Sequence, residues 1–365
     1  MAAAALDHHG RAMTERRPDS GPPRSIFKAG DLGEVINALP ALFGFPPENS
    51  LVSLGLHGPR IVFGMRLDLA DVGDDVDRTA GLAVRHLEQQ GVGGAITLAI
   101  GEPLDLGRRL VLAVEARLVR VRPLAGGWAT DRRYWVSMAG GSPRGYAYRR
   151  SLDHPAAAQA VWEGREVASS RAAVEATMAP LGTDRLAEVT AVAGDVVADL
   201  APGPDVTTKR EAAVYVANDV VPVLDDLRAG RAVTDHRLLR MACLVTHTRI
   251  RDAAWMMIAP DNARDYVRVW LHVARHVPHE WAPPAYSLAA FACWMCGDGA
   301  KSVMAAQQAL RLDPAYSMAG LMLDLATSGL SPDRWPEGTA QLRGMRQVRA
   351  SRTTSGRAWH TKWRG

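Results

Sequence analysis

The chain has 365 residues, enough for two domains of ordinary size, and its 47% hydrophobic and 22% charged residues are typical of a soluble globular protein. No window approaches the roughly 18 uninterrupted apolar residues of a membrane-spanning helix, and the first residues lack the pattern of a secretory signal. Three cysteines are too few for a disulfide framework. We therefore expect a cytoplasmic protein with no membrane contact.

The net charge of +4 is distributed unevenly along the chain. Only four of the 43 basic residues are lysines, which indicates a coding bias towards arginine rather than selection for phosphate contacts. Seven basic residues and no acid follow Gly338, so the rest of the chain carries a charge of −3. The sequence predicts a slightly acidic folded body and a basic tail.

The first part of the chain predicts alternating strands and helices after a disordered leader at residues 1–27. Asp31 can cap a helix whose apolar positions are Val35, Ile36, Leu39 and Leu42. The next predicted elements are a strand hairpin at 50–56 and 60–69, a helix at 76–90, a strand at 94–100 and a helix at 106–118. Closing strands are predicted at 119–124 and 128–138, on either side of a turn at 125–127. This order predicts an α/β domain with a mixed sheet over residues 28–150.

The remainder of the folded chain predicts helices alone. Residues 139–154 are rich in turn formers and are predicted to be a connector. Apolar residues at helical spacing then predict ten helices, at 155–164, 169–179, 184–200, 207–229, 233–247, 248–258, 262–276, 284–296, 300–312 and 316–328. We expect an all-α, tetratricopeptide-like domain over residues 151–330 that packs on the α/β domain. A basic tail would follow over residues 331–365.

Cys293 and Cys296 are the residues closest to a metal-binding motif. His272, His276 and His279 precede them by about twenty residues, so a Cys2His2 zinc site across two helices is conceivable. Cysteines three positions apart also share one helix face, where a free cysteine packs as a small apolar residue. We favour the packing role and predict no metal and no cofactor, with zinc as the alternative.

Two glycine-containing segments resemble phosphate-binding loops without meeting their requirements. Residues 299–302 read Gly-Ala-Lys-Ser, but a phosphate-binding loop needs glycine before the lysine and a preceding strand, and here a helix precedes. Residues 91–94 lack the spacing of the dinucleotide fingerprint and lead into a strand. The Gly-x-Ser-x-Gly and His-Glu-x-x-His motifs are absent from the sequence as well. The sequence leaves open whether the protein is an enzyme.

Polar residues at the predicted strand ends form the best candidate ligand site. Glu48 and Ser50 stand at the start of one strand, and Arg66 and Asp68 lie on one face near the end of the next. At a sheet edge these four side chains could bind a polar ligand. The alternative is a structural ion pair or a solvated face, and the same alternative applies to the pair at 251–252.

The tail contains a candidate nucleic-acid or partner site. Arg343, Arg346 and Arg349 follow one another at helical spacing, and Trp359 and Trp363 are four residues apart. Arginine with interleaved aromatic residues can bind nucleic acid through phosphate contacts and base stacking. An acidic protein partner would satisfy the same charges.

Four segments together resemble a known family. Residues 39–52, which read Leu-Pro-Ala-Leu-Phe-Gly-Phe-Pro-Pro-Glu-Asn-Ser-Leu-Val, and residues 66–69 resemble the opening of the actinobacterial domain-of-unknown-function family 4192. Residues 297–300 and 309–317 resemble its closing segment. The resemblance covers roughly residues 25–330. It implies a cytoplasmic bacterial protein and supplies no activity.

Two departures from this family count against a family-wide metal site. The segment after Trp135 often carries cysteines in the family but has none here, whereas positions 293 and 296 are usually not cysteine there. The closing segment also resembles a single tetratricopeptide-type unit through residues 309–310 and 313–314. Such units normally stack in threes or more to form a peptide-binding surface.

Three functions follow as hypotheses. The first is a non-catalytic interaction or scaffold protein that binds a partner protein at the helical domain. The second is an enzyme or small-ligand binder with its polar site at the strand ends of the α/β domain. The third is nucleic-acid binding through the arginine-rich tail.

Overall fold

The computed structural model describes residues 30–72, 75–151, 153–180, 182–201, 203–332 and 335. The predicted leader and nearly all of the predicted basic tail lie outside these residues. The described strands are β1 (Ser50–His57), β2 (Arg60–Asp68), β3 (Gly94–Ile100), β4 (Arg122–Ala129), β5 (Arg133–Val136) and β6 (Tyr146–Ala147). They form one sheet in the order β2-β1-β3-β4-β5-β6, in which β3 and β4 are parallel and the other neighbours antiparallel.

Helices cover both faces of the sheet. They are α1 (Leu32–Phe43), α2 (Val76–Gln89) and α3 (Leu104–Arg117). Leu39 of α1 belongs to the same core as Leu54 of β1, whereas Ala83 of α2 and Leu110 of α3 belong to a second core with Leu51. Because successive side chains of a strand point to opposite faces, β1 contributes to both cores. The mixed-sheet α/β architecture predicted from the sequence is confirmed.

Local signals explain where several of these elements begin and end. The Asp31 carboxylate caps α1 by accepting the backbone N–H of Glu34 at 2.9 Å. Gly58, in the turn between β1 and β2, has φ +57°, and Gly91, just after α2, has φ +63°. Of the four apolar positions named in α1, Val35, Ile36 and Leu39 are buried, whereas Leu42 is 41% exposed.

The predicted turn at residues 125–127 is wrong, because β4 runs straight through it. The chain turns instead at residues 130–132, between β4 and β5. A Cβ on Gly126 would lie 1.9 Å from an Oε1 atom of Glu115, and a Cβ on Gly127 would lie 2.2 Å from the carbonyl oxygen of Trp135. Both glycines are therefore strand residues: Gly126 lets the Glu115 side chain approach β4 closely, and Gly127 does the same for the Trp135 backbone. The predicted connector at 139–154 also contains a strand, β6.

Eleven further helices make up the rest of the described chain. They are α4 (Pro155–Trp162), α5 (Arg171–Met178), α6 (Thr183–Leu200), α7 (Lys209–Tyr215), α8 (Val221–Arg228), α9 (Asp235–Thr246), α10 (Thr248–Trp255), α11 (Ala263–Arg275), α12 (Ala282–Met295), α13 (Gly299–Leu312) and α14 (Ser317–Thr327). The single helix predicted at 207–229 is divided by a π turn at 216–220. Pro222 follows this turn and has no N–H to donate to the preceding turn of an α-helix, which accounts for the interruption.

The helical region is centred on α12, whose residues are all buried. A helix that is apolar on every side needs neighbours all round, and α11, α13 and α14 pack against it. Trp335 extends this packing beyond residue 330, since its ring centre lies 5.2 Å from that of Phe291. None of the described helices is long and apolar enough to cross a membrane.

The sheet region and the helical region are in direct contact. Phe45, just after α1, is fully buried in the core of the helical region. Arg165 donates to the carbonyl oxygen of Ala41 at 2.8 Å, and the backbone N–H of Ala168 donates to that of Gly44 at 2.7 Å. Whether each region also folds as a separate domain with a boundary near residue 150 stays a prediction.

Candidate functional site

A cleft of about 730 Å³ lies where the sheet region meets the helical region. One side consists of the end of α1 and the loop after α4, including Leu42, Arg165 and Glu166. The opposite side is α11, and the end of α12 with the start of α13 contributes the rest of the lining. This volume falls within the range of sites that bind small molecules.

Basic side chains of α11 line the cleft along the length of the helix. Arg264, Arg268 and His272 are four residues apart, so they lie above one another on one face, and Arg275 continues this row. At about 1.5 Å per residue, the row spans roughly 16 Å from the first to the last backbone position. The cleft therefore presents cations at several separated points rather than at one.

The arginines on this wall form few strong pairs. Arg268 lies 3.2 Å from a carboxylate oxygen of Asp265, but 71% of the arginine side chain is exposed, so solvent weakens the pair. Arg264 and Arg275 donate to backbone carbonyl oxygens, those of Glu163 at 3.3 Å and Ala179 at 3.0 Å. Arg264 also interacts with the Asp298 carboxylate, since its charge opposes the rise in the pKa of that group, whereas among the described residues Arg275 has only its carbonyl contact. Carbonyl contacts do not neutralise a guanidinium, so both arginines can attract an anion.

A cluster of charged side chains lies at the start of α13. The Asp298 carboxylate caps this helix by accepting the backbone N–H of Lys301 at 3.0 Å. The Lys301 ammonium lies 3.7 Å from Asp298 and 3.8 Å from Glu166, with 17% of its side chain exposed. Burial raises the pKa of Asp298, although Lys301 opposes the shift. The complete lining of the cleft holds five Lys or Arg and three Asp or Glu side chains.

The two cysteines of the predicted metal motif also line the cleft. Cys293 is fully buried, and the Cys296 thiol donates to the carbonyl oxygen of Cys293 at 3.3 Å. Burial raises the pKa of Cys293 well above its usual value and raises that of Cys296 as well. Both groups are therefore held as thiols at neutral pH, whereas thiol chemistry and metal binding need the thiolate.

The histidines of the same motif form a stacked pair. The rings of His272 and His276 lie 4.0 Å apart, and a ring nitrogen of His276 lies 2.7 Å from the carbonyl oxygen of His272. Burial lowers the pKa of His272 to about 4, and the charges of His276 and Arg275 add to the shift. Among the described residues, no group of three or more His, Cys, Asp and Glu side chains could hold a metal ion.

The structure brings the four predicted strand-end residues together. Arg66 forms an ion pair with Asp68 and lies 3.5 Å from the carbonyl oxygen of Glu48, which also accepts the hydroxyl of Ser50. Arg171 of α5 completes this network at 2.5 Å from Asp68, so it links the helical region to the sheet. Burial lowers the pKa of Arg66, and Asp68 opposes the shift.

The carboxylates of this strand-end network pair with its arginines, but the buried Nε atom of Arg66 has no hydrogen-bond partner among the described residues. Arg66, with 12% of its side chain exposed, also lies over the ring of Phe45 at 5.6 Å from its centre. Arg150 lies 3.5 Å from Glu48 and donates to the carbonyl oxygen of Pro47 at 3.0 Å. The arrangement matches the structural ion pair that was the alternative to a ligand site. Whether it also binds a ligand stays a prediction.

Of the other candidate residues, the pair at 251–252 has a structural role, and the three arginines of the tail are not described by the structure. Arg251 is paired with Asp252 at 2.7 Å and donates to the Tyr316 hydroxyl at 2.9 Å, so it joins α10 to the start of α14. Arg343, Arg346 and Arg349 lie outside the described residues.

Sequence reasoning missed the basic wall of α11. The spacing of Arg264, Arg268 and His272 was visible in the sequence, but a basic helix face is usually solvated. Its significance depends on the loop after α4, which lies about a hundred residues earlier in the chain. A pattern within one helix cannot reveal what packs opposite it.

The comparisons with known proteins identify a family whose function is unknown. The model of the family described as a domain of unknown function (DUF4192) matches residues 33–333. This match covers most of the chain, and the chain belongs to that family. The search of curated proteins and the search of solved structures give no match.

Proposed function

We propose that this member of the DUF4192 family binds a small anionic molecule in the cleft between the sheet region and the helical region. The observation that carries the proposal is the row of basic side chains on α11 facing a cleft of small-molecule size. The proposed site is separate from the strand ends, at which the sequence predicts a ligand site.

The charges of the cleft support an anionic ligand. Basic groups outnumber acidic ones in the lining, and two of them, Arg264 and Arg275, contact carbonyl oxygens. A concave site with low-dielectric walls concentrates the field of such charges and attracts ions of opposite sign. Guanidinium groups also match carboxylate and phosphate geometry through paired hydrogen bonds.

The shape of the cleft supports an elongated ligand with more than one anionic group. Arg264 and Arg275 lie at opposite ends of the basic row, and apolar Val267 and Leu271 also line the cleft along this helix. A ligand with an apolar or aromatic middle and anionic groups at both ends would satisfy both kinds of surface. Nucleotides, coenzyme-like phosphates and long dicarboxylates share this chemistry.

The test is thermal unfolding of the full chain with inorganic phosphate, pyrophosphate, nucleoside diphosphates and dicarboxylates, followed by calorimetry of any compound that stabilises it. A ligand at 1,000 times its Kd should stabilise the protein by about 4 kcal/mol. The double variant Arg264→Gln/Arg275→Gln should lower the affinity at least tenfold. The matched control is Arg78→Gln/Arg210→Gln, because both arginines are exposed and do not line the cleft.

Two outcomes would refute the proposal. One is that none of these anions stabilises the protein. The other is that the cleft variant and the control variant bind with equal affinity, because binding would then lie outside the cleft. The stability of each variant without ligand must be measured as well, so that a folding defect is not mistaken for lost binding.

A second function, docking of a partner protein on the helical region, is supported by the outer face of α14. Leu321 on this helix is 61% exposed, although other residues of α14 pack on α12 and α13. Burial of this leucine under an apolar face of a partner protein would be favourable. We expect Leu321→Asp to abolish cross-linking to a partner that wild type captures, while Val119→Asp, at an exposed position in the sheet region, has no effect.

We also propose a cytoplasmic location for the protein. Cys243, Cys293 and Cys296 are all free thiols, as suits a reducing compartment. Fractionation of cells that express a tagged full chain tests this expectation. Recovery in the membrane or secreted fraction would contradict it.

A further inference from the structure

A second basic surface lies at the opposite edge of the sheet from β2, and the cleft does not include it. Five arginines and four aromatic residues occur between residues 132 and 150, without one acidic residue. Its exposed basic members are Arg132, Arg133, Arg144 and Arg149, whereas Arg150 belongs to the strand-end network. Two carboxylates just outside this segment offset part of its charge: Asp131 lies 3.4 Å from Arg132, and Glu48 lies 3.5 Å from Arg150. Both contacts are long, and the Arg132 and Asp131 side chains are 88% and 68% exposed, so solvent weakens this pair.

Strands β5 and β6 bring these arginines together. Arg133 is paired with Ala147 in the register of the two strands, and its guanidinium donates to the carbonyl oxygen of Arg144 at 2.7 Å. The backbone N–H of Tyr148 donates to the carbonyl oxygen of Arg132 at 3.0 Å, which places Arg149 beside this end of the hairpin. Arg132, Arg144 and Arg149 are exposed, so their charges face solvent.

An aromatic platform stands in the middle of this charge. The Tyr134 and Tyr146 rings are stacked, with centres 5.3 Å apart and planes 24° from parallel. Tyr134 is 6% exposed, whereas Tyr146 is 40% exposed. The Tyr134 ring therefore covers one side of the Tyr146 ring, and the exposed surface of Tyr146 faces away from Tyr134. Its hydroxyl accepts the backbone N–H of Ser142 at 3.3 Å, which helps to hold the ring in place.

We infer that this β5–β6 edge binds single-stranded nucleic acid. Exposed arginines would contact the phosphates, and an unpaired base would stack on the open face of Tyr146. The strands offer no helix for the major groove of a duplex, and stacking requires a base that is not already stacked in one. An acidic protein would use the arginines but gain little from the tyrosine platform. The inference is independent of the ligand proposed for the cleft.

The test measures fluorescence anisotropy of the full chain with a labelled single-stranded 12-nucleotide RNA and its DNA equivalent over a range of salt concentrations. Arg132→Gln/Arg144→Gln/Arg149→Gln should weaken binding at least tenfold and reduce the slope of log affinity against log salt by about 2, since each phosphate contact contributes roughly 0.7. Tyr146→Ala should weaken binding about fivefold or more, with an unchanged slope. Tyr146→Phe should bind like wild type.

The controls separate this surface from other basic parts of the chain. Arg60→Gln/Arg78→Gln/Arg210→Gln removes three exposed charges elsewhere and should have little effect. A chain that ends at residue 337 should retain binding, because the inference does not use the tail. Equal losses in the two triple variants, wild-type binding by Tyr146→Ala, or loss of binding with the tail would overturn the inference. Equal affinity for an acidic peptide of the same charge would overturn it as well.

Discussion

Replacement of Gly127 by alanine tests the most consequential correction to the sequence-based fold. If residues 125–127 formed an exposed turn, an added methyl group would cost little. In the structure this residue lies inside β4, paired with Val136 of β5. The new Cβ would lie 2.2 Å from the carbonyl oxygen of Trp135 and 2.8 Å from a methyl carbon of Leu32.

The loss of stability depends on which atoms must move to make room for the new methyl group. Ordinary contacts of a Cβ begin near 3.4 Å, so the β5 backbone would have to retreat by about 1 Å. Overpacking of a core by a methyl-sized group typically costs 1–3 kcal/mol, and a displaced strand also weakens ladder hydrogen bonds worth about 1 kcal/mol each. We expect Gly127→Ala to lower the free energy of unfolding by about 3–5 kcal/mol.

Urea denaturation followed by circular dichroism measures this change. The matched control is Gly194→Ala in the middle of α6, where an added Cβ meets nothing within 4 Å. Alanine is the better helix former by about 1 kcal/mol, so this variant should be slightly more stable than wild type. A Gly127→Ala protein within about 0.5 kcal/mol of wild type would refute the continuous strand.

Three further predictions concern charged and titrating groups. Asp68→Asn should lower the free energy of unfolding by about 3 kcal/mol in urea denaturation, because the mostly buried Arg66 loses its carboxylate and faces Arg171, whose remaining ion pair among the described residues is with Glu175. A loss below about 1 kcal/mol would contradict this. His272 should titrate near 4 in NMR spectra, and a value near the usual 6.5 would show that its ring is hydrated. Cys293 should react with a thiol reagent only after denaturation, and rapid reaction of the native protein would disprove its burial.

The sequence predicted those features whose causes are local. Asp31 predicts the start of α1 because a capping carboxylate acts within three residues. The mostly apolar run at 50–56 predicts β1, whose residues are all buried except His57. The glycines at 126 and 127 led to the wrong prediction of a turn, because glycine occurs both in turns and where two segments approach closely. The close contact at Gly127 is with Trp135, which belongs to another strand. Local sequence does not distinguish these two uses of glycine.

The candidate site was harder to predict because it depends on distant packing. The strand-end residues lie side by side, but Arg171, which is 103 residues from Asp68 in the chain, joins them in an ion network that their sequence spacing could not predict. The cleft likewise exists only because the loop after α4 faces α11. Residues rejected as motifs, such as Cys293 and Lys301, line this cleft through their position in the fold rather than through a spacing of their own.

Asp298 connects the stability of α13 with the charge of the cleft, and Asp298→Asn separates the two roles. Asparagine caps a helix about as well as aspartate, so it can still accept the backbone N–H of Lys301. Asp298→Ala loses this cap and should be less stable than Asp298→Asn by about 1 kcal/mol. Comparison of the two variants by urea denaturation at one pH measures the cap alone.

The raised pKa of Asp298 determines whether this residue makes the protein more or less stable as the pH rises. The folded protein holds the proton of this carboxyl more tightly than the unfolded chain does, where the pKa is about 3.9. The contribution of Asp298 to stability therefore falls as the pH rises from that value through the raised pKa of the folded state. Asp298→Asn lacks this loss, so its stability relative to wild type should increase with pH across the acidic range. A relative stability that stays constant or falls would show that the fold does not raise the pKa of this carboxyl, 28% of whose side chain is exposed.

The same substitution should act on the proposed ligand with a definite sign. An ionised Asp298 repels an anion near Lys301, and it also offsets part of the attraction of that lysine. Asp298→Asn should therefore tighten binding of an anion in the cleft, whereas Lys301→Met should weaken it, and calorimetry measures both. If Asp298→Asn leaves the affinity unchanged while the pH dependence of stability behaves as expected, the pKa of the carboxyl is raised as described and the anion binds elsewhere.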